Sequence, residues 1–196
     1  NAQAILGGYF VPTDSDVRGS HGAAALAALA MAQGVEFVGN VTVQDVYGQN
    51  GRVRRIVTDQ GVVECEHVLL CTNAWTTVLA EKAGVRFPVL GVEQQYVITE
   101  SLPELAADKE RFITHPILRH PDAALYYRQV YDSYLIGSYR HTALRVGDDT
   151  RLPAVHSSAP GDWESNQRAT AELLPALADK AFAQRVSGYL AFSNDL

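Results

Sequence analysis

An apolar run at His67–Cys71 is the feature that most limits the folds this chain can adopt. A run without polar alternation is typical of a strand that is buried on both faces of a layered α/β sheet. Thr72 and Asn73 follow the run, and these residue types can cap the helix that the sequence predicts from Ala74 to Gly84. The order strand, cap and helix predicts an α/β layer with helix-start amides at the carboxyl end of the sheet, where ligands bind in such folds.

The residues before this run predict one helix and several short strands. An alanine- and leucine-rich stretch predicts a helix from Gly22 to Gln33 that ends at Gly34. Apolar or alternating stretches, two of them joined by the turn at residues 48–51, predict strands at Val35–Val38, Val41–Tyr47, Val53–Thr58 and Val62–Cys65. These elements complete the predicted α/β part of the fold.

From Pro88 onward the pattern changes to aromatic-rich strands separated by turns that contain Pro and Asp. Strands joined by short turns favour an antiparallel sheet, so the second half is predicted as α+β, with the boundary near Phe87 and Pro88. Its predicted elements are strands at Val92–Thr99, Ala124–Gln129 and Tyr134–Tyr139, a helix at Asp162–Leu177 and a strand at Val186–Phe192.

Composition excludes several classes of partner. The formal net charge of −6 disfavours nucleic acid and anionic membrane, because a surface that tracks phosphates needs clustered Lys and Arg. No apolar run approaches about 18 residues, so no transmembrane helix is predicted. Cys65 and Cys71 are the two thiols, and they indicate neither a disulfide framework nor a metal site. A reducing cytoplasm is the expected compartment.

The sequence contains none of the compact motifs that mark many active sites. We find no G-x-G-x-x-G motif, Walker loop, nucleophile elbow or metal-binding pair of histidines. The second half is instead dense in tyrosine, and Tyr126 and Tyr139 could share one face of the predicted sheet. Two interpretations remain open: sheet packing, since Tyr is a favoured strand residue, or a cage for a cationic amine with a free phenol for proton transfer.

An ordered series of stretches resembles the glycine- and sarcosine-type amine oxidoreductases of the D-amino-acid oxidase fold. The series runs through nearly the whole chain, and the similarity is greatest to dimethylglycine oxidase, dimethylglycine dehydrogenase and sarcosine dehydrogenase. The matching stretches are Gly8–Asp14, Cys71–Trp75, Val92–Thr99, Pro116–His120, Leu125–Arg128, Ile136–Tyr139 and Glu172–Asp179.

This resemblance implies an FAD enzyme that oxidatively demethylates a small N-methyl amino acid, such as dimethylglycine or sarcosine, by hydride transfer to the flavin. It implies that residues 1–87 are part of the FAD-binding domain and residues 88–180 the substrate-binding domain. Residues 181–196 would form a strand that returns toward the FAD domain. A folate-binding domain further along the same chain is an implied partner.

The resemblance also implies roles for three residues at the substrate. Tyr126 is the implied catalytic residue beside the substrate amine, while Gln94 and Tyr139 are implied to line the same cavity. The family usually has His at the position of Gln94. An acid–base role there is therefore altered, because an amide does not titrate.

Another group of residues is implied to contact the cofactor. Val41 would lie on the strand whose backbone meets the adenine, and Thr72, Asn73, Ala74 and Trp75 would lie near the ribityl and phosphate portion. Asn73 replaces a glycine that usually lets the backbone approach the cofactor. Asn tolerates a left-handed backbone better than most residues, so the turn is expected to survive the replacement.

The phosphate-binding glycines and the histidine that often attaches flavin are expected upstream of Asn1, and a glycine loop near the flavin ring downstream of Leu196. The chain alone is therefore expected to be inactive. Two alternatives remain: another amine or amino-acid oxidase of the same fold, which Gln94 favours, or a non-catalytic binding module if the chain is naturally this short.

Overall fold

The computed structural model describes residues 5–139, 144–145, 155–156 and 163–193. Their contacts divide the chain into two compact units, Leu6–Val68 and the described residues from Leu69 onward. The helices are α1 (Gly19–Ala32), α2 (Thr76–Lys82) and α3 (Glu164–Leu173), and the strands are β1 (Val43–Gln49), β2 (Arg52–Thr58), β3 (Gly61–Glu64), β4 (Val89–Thr99), β5 (Leu118–His120), β6 (Leu125–Val130), β7 (Ser133–Ser138), β8 (Leu144–Arg145), β9 (Val155–His156) and β10 (Phe182–Ser193).

The unit Leu6–Val68 contains α1 and an antiparallel sheet of β1, β2 and β3. The predicted turn between β1 and β2 is confirmed: Asn50 and Gly51 have φ of 55° and 72°, the left-handed geometry that favours tight hairpins. Gly34, with φ of 92°, follows the end of α1 where the sequence predicted it. Residues that adopt a left-handed backbone therefore set the β1–β2 turn and the end of α1 in this unit.

Two predicted strands of the first half are wrong. Residues 35–39 and 67–72 form no strand, and Leu69 is 87% exposed. A strand needs a hydrogen-bonded neighbour, and among the described residues no strand pairs with either stretch. The predicted helix cap is also wrong, since no cap hydrogen bond from the Thr72 side chain is made and its hydroxyl lies 3.1 Å from that of Thr76.

The second unit is organised by a larger antiparallel sheet with the order β5-β6-β7-β4-β10-β9 in the described part of the chain, and β8 also pairs with β4. The longest pairing joins β10 to β4, from Phe182 opposite Thr99 to Ser193 opposite Val89. A mixed α/β chain with antiparallel sheets is the fold class that the sequence predicted.

The large sheet has two chemically different faces, because successive side chains in a strand point to opposite sides. Alternate residues of β6 are buried, with Tyr127 only 1% exposed and Tyr126 partly exposed. The core face contains Val97, Leu125, Tyr127 and Ile136, which pack against apolar residues in and around α3, among them Trp163 and Leu177. The opposite face carries Tyr96, Tyr126, Gly137 and Tyr139, and we call it the tyrosine face.

Polar contacts fix α3 on the core face. The Ser138 hydroxyl lies 3.1 Å from Oδ1 of Asn166, and the Tyr127 hydroxyl lies 3.3 Å from that of Thr170. All four side chains are nearly inaccessible, so each polar atom needs the partner that the other element supplies. The core face is thereby closed to ligands by its own packing.

The expected division into cofactor and substrate domains stays a prediction. Residues 181–196 were expected to return toward the first domain, and their described part, β10, pairs with β4 along the large sheet. Within the described residues, no helix has the length and apolar character needed to cross a membrane.

Candidate functional site

The tyrosine face gathers the residues that sequence reasoning selected for the substrate. Tyr126 lies directly opposite Gly137 in the β6–β7 pairing, and Tyr96 lies opposite the same glycine from β4. The ring of Tyr126 is 5.6 Å from that of Tyr139, with 43° between the planes. The expectation that Tyr126 and Tyr139 share a sheet face is confirmed.

Gly137 provides the space that the ring of Tyr126 occupies. A β-carbon built at Gly137 would overlap both the ring and the hydroxyl of Tyr126. A glycine inside a strand often marks such a close approach, which is the one sequence feature that could have identified this residue. The outer part of the ring therefore lies over Gly137, in space that any side chain at this position would fill.

The hydroxyl of Tyr126 is a neutral phenol over a wide pH range. Its pKa is raised to about 12, mainly by burial and also by the neighbouring Tyr139 and Tyr96, while the guanidinium of Arg119 opposes the rise. The Tyr126 hydroxyl makes no hydrogen bond with the residues that the structure describes. As a protonated phenol it can donate or accept a hydrogen bond, and it is a poor source of phenolate near neutral pH.

We expect this pKa to be visible in a spectrophotometric titration of phenolate absorbance. Tyr126→Phe should remove a component that titrates near pH 12. Because folding raises the pKa above the ordinary tyrosine value of 10.0, the contribution of this group to stability is complete below pH 10.0 and is lost as the pH rises through about 12. If the difference titration between wild type and variant centres at pH 10.0, the burial of this hydroxyl is contradicted.

Gln94 and Val41 lie in different units of the chain. Gln94 pairs with Gly188 on β10, and its alternation with Tyr96 assigns it to the tyrosine face. Val41 lies two residues before β1, so the prediction of a strand from Val41 is wrong by that margin. Its implied role at the adenine stays a prediction.

The turn at residues 72–75 is attached to the edge of β10. Asn73 has φ of 46°, so the left-handed backbone expected for this residue is confirmed. Its side-chain amide donates to the carbonyl of Tyr189 at 2.7 Å, and its Oδ1 accepts from the backbone N–H of Ala191 at 3.1 Å. The side chain thus imitates the hydrogen bonding of a neighbouring strand. Ala74 lies inside the single 3-10 turn Asn73–Trp75.

Trp75 packs edge-on against Tyr189, with ring centroids 5.9 Å apart. Its indole N–H is buried and has no acceptor among the described residues. A buried donor without a partner is costly, so this atom is suited to an acceptor supplied by a ligand.

The turn and the tyrosines contact different sides of the sheet. Tyr189 pairs with Glu93, which alternation assigns to the face of Val97, whereas Tyr126 lies on the tyrosine face. Sequence reasoning expected these two groups to border one chamber. Their contacts instead form two separate groups, and the implied roles of both stay predictions.

Sequence reasoning missed Arg119, at the centre of β5. Arg119 lies directly opposite Tyr126 in the β5–β6 pairing, and its side chain is exposed. The pairing depends on a tight connection through Pro121–Ala123 and on Ala124, whose φ is 52°. Neither β5 nor this left-handed alanine has a clear sequence signature.

The model of one protein family, the FAD-dependent oxidoreductases called DAO, matches residues 1–196. Among individual relatives, 4-methylaminobutanoate oxidase (formaldehyde-forming) of Paenarthrobacter nicotinovorans is 31% identical over 97% of this chain and 23% of its own length. Mitochondrial dimethylglycine dehydrogenase of Mus musculus is 26% identical over 100% of this chain and 23% of its own length. Mitochondrial sarcosine dehydrogenase of Homo sapiens is 28% identical over 71% of this chain and 15% of its own length.

Solved structures share the fold at lower identity. L-proline dehydrogenase from P. horikoshii matches with a TM-score of 0.74 and 20% identity, over 94% of this chain and 46% of that one. Glycine oxidase from Geobacillus kaustophilus matches with a TM-score of 0.64 and 21% identity, over 88% of this chain and 42% of that one. The chain spans less than half of these structures and at most 23% of the relatives named above.

Proposed function

Because this chain belongs to the DAO family of FAD-dependent oxidoreductases, we propose that it contributes the substrate side of an enzyme that demethylates a small N-methyl amino acid. The single observation that supports this most directly is the tyrosine face, where Tyr126, Tyr139 and Tyr96 converge beside one glycine. The names of three relatives specify 4-methylaminobutanoate, dimethylglycine and sarcosine, all of which are N-methylated amino acids.

The residues at the 72–75 turn fit an FAD cofactor. The indole N–H of Trp75, which has no acceptor among the described residues, is a donor suited to the oxygen-rich ribityl chain or phosphates. The left-handed backbone of Asn73 keeps the turn tight, as a glycine at this position would. Trp75 would hold this part of the cofactor through its indole N–H, whereas the tyrosines, on the other side of the sheet, would contact the substrate and not this part of the FAD. When bound, FAD supplies the acceptor for the hydride of the substrate's N-methyl group.

The tyrosine face can stabilise the charge that this oxidation creates. Loss of a hydride from the N-methyl carbon of a neutral amine leaves a cationic iminium, which water converts to formaldehyde and the demethylated amine. Ring faces attract cations, so Tyr126 and Tyr139 favour the cationic product and the transition state that leads to it. The protonated Tyr126 hydroxyl orients the amine nitrogen by a hydrogen bond and does not act as a phenolate base.

Replacement of Tyr126 by phenylalanine tests the proposal. We expect Tyr126→Phe to slow reduction of the FAD by dimethylglycine by about tenfold to a hundredfold, because one orienting hydrogen bond is lost while the ring remains. FAD content should not change. Stopped-flow absorbance of the full-length, FAD-loaded enzyme under anaerobic conditions measures the reduction.

Tyr127→Phe is the matched control, because it removes the hydroxyl of the next residue on the core face. It should leave the reduction rate unchanged and affect only stability. Equal rates for Tyr126→Phe and wild type would remove Tyr126 from the substrate site. Equal slowing by both variants would indicate a general structural effect.

The alternative is oxidation of another amine or amino acid on the same fold. Gln94 favours this alternative. Its amide lies on the tyrosine face where the family usually has a histidine, and because an amide does not titrate, the substrates that this face can bind would differ. Anaerobic bleaching by a panel of amines distinguishes the two: reduction by primary amino acids and not by N-methyl amino acids would select the alternative. Free formaldehyde among the products would distinguish hydrolysis of the iminium from its transfer to folate.

A further inference from the structure

Strand β10 carries two polar side chains with buried atoms that find no partner within the described residues. Ser187 is completely buried, at 0% exposed, and its hydroxyl makes no hydrogen bond there. The Nη1 atom of Arg185 is likewise buried and without a hydrogen-bond partner. A buried hydroxyl that makes no hydrogen bond is costly, and a buried part of a cation is more costly still. Two such groups on one strand need a common explanation.

Both side chains lie on the same face of the large sheet. Arg185 and Ser187 are two positions apart on β10, and residues with this spacing in a strand share a face, with Cα atoms about 7 Å apart. Arg185 pairs with Val97 of the core face, and Ser187 pairs with Gln95, which alternation assigns to the same face. The long side chain of an arginine can bring its guanidinium beside a serine at this distance.

The helix that covers the core face is attached over other strands. Its hydrogen bonds to the sheet are made with Tyr127 on β6 and Ser138 on β7, and β4 lies between β7 and β10. On β10, Arg185 is only partly buried, with its guanidinium 5.5 Å from the ring of Phe182. A small solute therefore has a route to the guanidinium, whereas the complete burial of Ser187 excludes a large one.

The groups at this position offer hydrogen-bond donors and one positive charge. A guanidinium has only donors, and a serine hydroxyl can donate as well. The side-chain amide of Gln95, opposite Ser187, donates to the carboxylate of Glu93 at 3.3 Å. Glu93 pairs with Tyr189, so this carboxylate lies on the side of Ser187 away from Arg185. An acceptor with a negative charge therefore fits on the side of Arg185.

We propose that Arg185 and Ser187 bind one small monovalent anion, either a halide or a small carboxylate, on the core face of β10. One guanidinium balances one negative charge, and a second buried charge would lack a counter-ion. A water molecule would satisfy the two donors but not the charge. The site does not depend on the proposed function, because Val186, between the two residues, pairs with Tyr96 and takes the tyrosine face instead.

Bromide tests the site directly in crystals of the full-length, FAD-loaded enzyme. We expect an anomalous difference peak within hydrogen-bonding reach of Arg185 Nη1 and Ser187 Oγ, and no such peak in Arg185→Gln. A parallel soak in acetate shows whether a carboxylate takes the same position, which distinguishes the two kinds of anion. A water molecule or a carboxylate side chain of the protein at this position in both soaks would overturn the proposal.

Hydrogen exchange of β10 measures the same binding in solution. An anion that binds only the closed strand slows exchange by a factor that reaches about tenfold at ten times its Kd. Chloride or acetate should slow exchange in wild type and not in Arg185→Gln, relative to a bulky sulfonate of equal ionic strength. Arg168→Gln removes an exposed arginine from α3 and is the matched control, which should respond as wild type does. No response of wild type to either anion would mean binding at crystal concentration only, and would overturn the proposal.

Ser187→Ala separates a bound anion from simple packing, because the sign of its effect should depend on the salt. In the bulky sulfonate the substitution removes a buried hydroxyl without a partner, so exchange of β10 should be unchanged or slower. At about ten times the Kd of the anion, the variant lacks a hydrogen bond to a charged group and should exchange up to about tenfold faster than wild type. The same effect of Ser187→Ala in both salts would contradict a bound anion.

Discussion

Gly137→Ala is expected to lower the rate of FAD reduction by about a hundredfold, because a displaced catalytic group at the ångström scale has effects of that size. The added β-carbon would overlap the ring and hydroxyl of Tyr126, so the ring must leave its position across β7. Overpacking of this kind should also reduce the free energy of unfolding by about 1–3 kcal/mol. Stopped-flow reduction and chemical denaturation measure the two effects.

The same substitution in a Tyr126→Ala background isolates the cause. Without the ring there is nothing for the new methyl group to meet, and alanine is no worse than glycine in a strand. Gly137→Ala should then be neutral or slightly stabilising in that background. An equal loss of stability in both backgrounds would show that the glycine serves the backbone of β7 and not the placement of Tyr126.

Asn73→Ala is expected to free the 72–75 turn from β10. The substitution removes both hydrogen bonds to β10, about 1 kcal/mol each, and places alanine in a left-handed conformation that costs about 1–2 kcal/mol. Hydrogen exchange at the amide of Ala191, which donates to Asn73, should accelerate by about a hundredfold, in keeping with the lost bonding.

Two further variants divide this effect into its parts. Asn73→Gly keeps the left-handed backbone and loses only the side-chain bonds, so it should cost less than Asn73→Ala. Asn73→Asp keeps an acceptor for Ala191 but loses the donor to the carbonyl of Tyr189. Protection of the Ala191 amide from hydrogen exchange should decrease from wild type to Asn73→Asp, and should be lowest in Asn73→Gly and Asn73→Ala. Unchanged exchange in Asn73→Ala would rule out a structural role for this side chain.

The parts of the fold that sequence predicted are those that local chemistry decides. Asn50 and Gly51 determined a hairpin and Gly34 determined a helix end, and the adjacency of two predicted strands indicated that Tyr126 and Tyr139 could share a face. Each of these depends on residues close together in the chain or on the geometry of a single strand. The element bounds shifted by a few residues at most for the strands of the larger sheet.

The predictions that were wrong or missing concern interactions between residues that are distant in the sequence. The runs at 35–38 and 67–71 have the composition of buried strands, but composition does not supply a partner strand. Asn73 meets Tyr189 across 116 residues of sequence, a distance over which no local pattern extends. Arg119 and Gly137 were overlooked for the same reason, since their importance follows from the register of β5, β6 and β7.

Alternation along β6 divides its side chains between two faces of the sheet with different surroundings. Tyr127 and Gln129 are buried on the core face, while Tyr126, between Leu125 and Tyr127, lies on the tyrosine face. Every second position can therefore vary without disturbing the packing against α3. A scaffold organised in this way can acquire new substrate preferences in small steps while its folding remains intact, which suits a family whose members oxidise different amines.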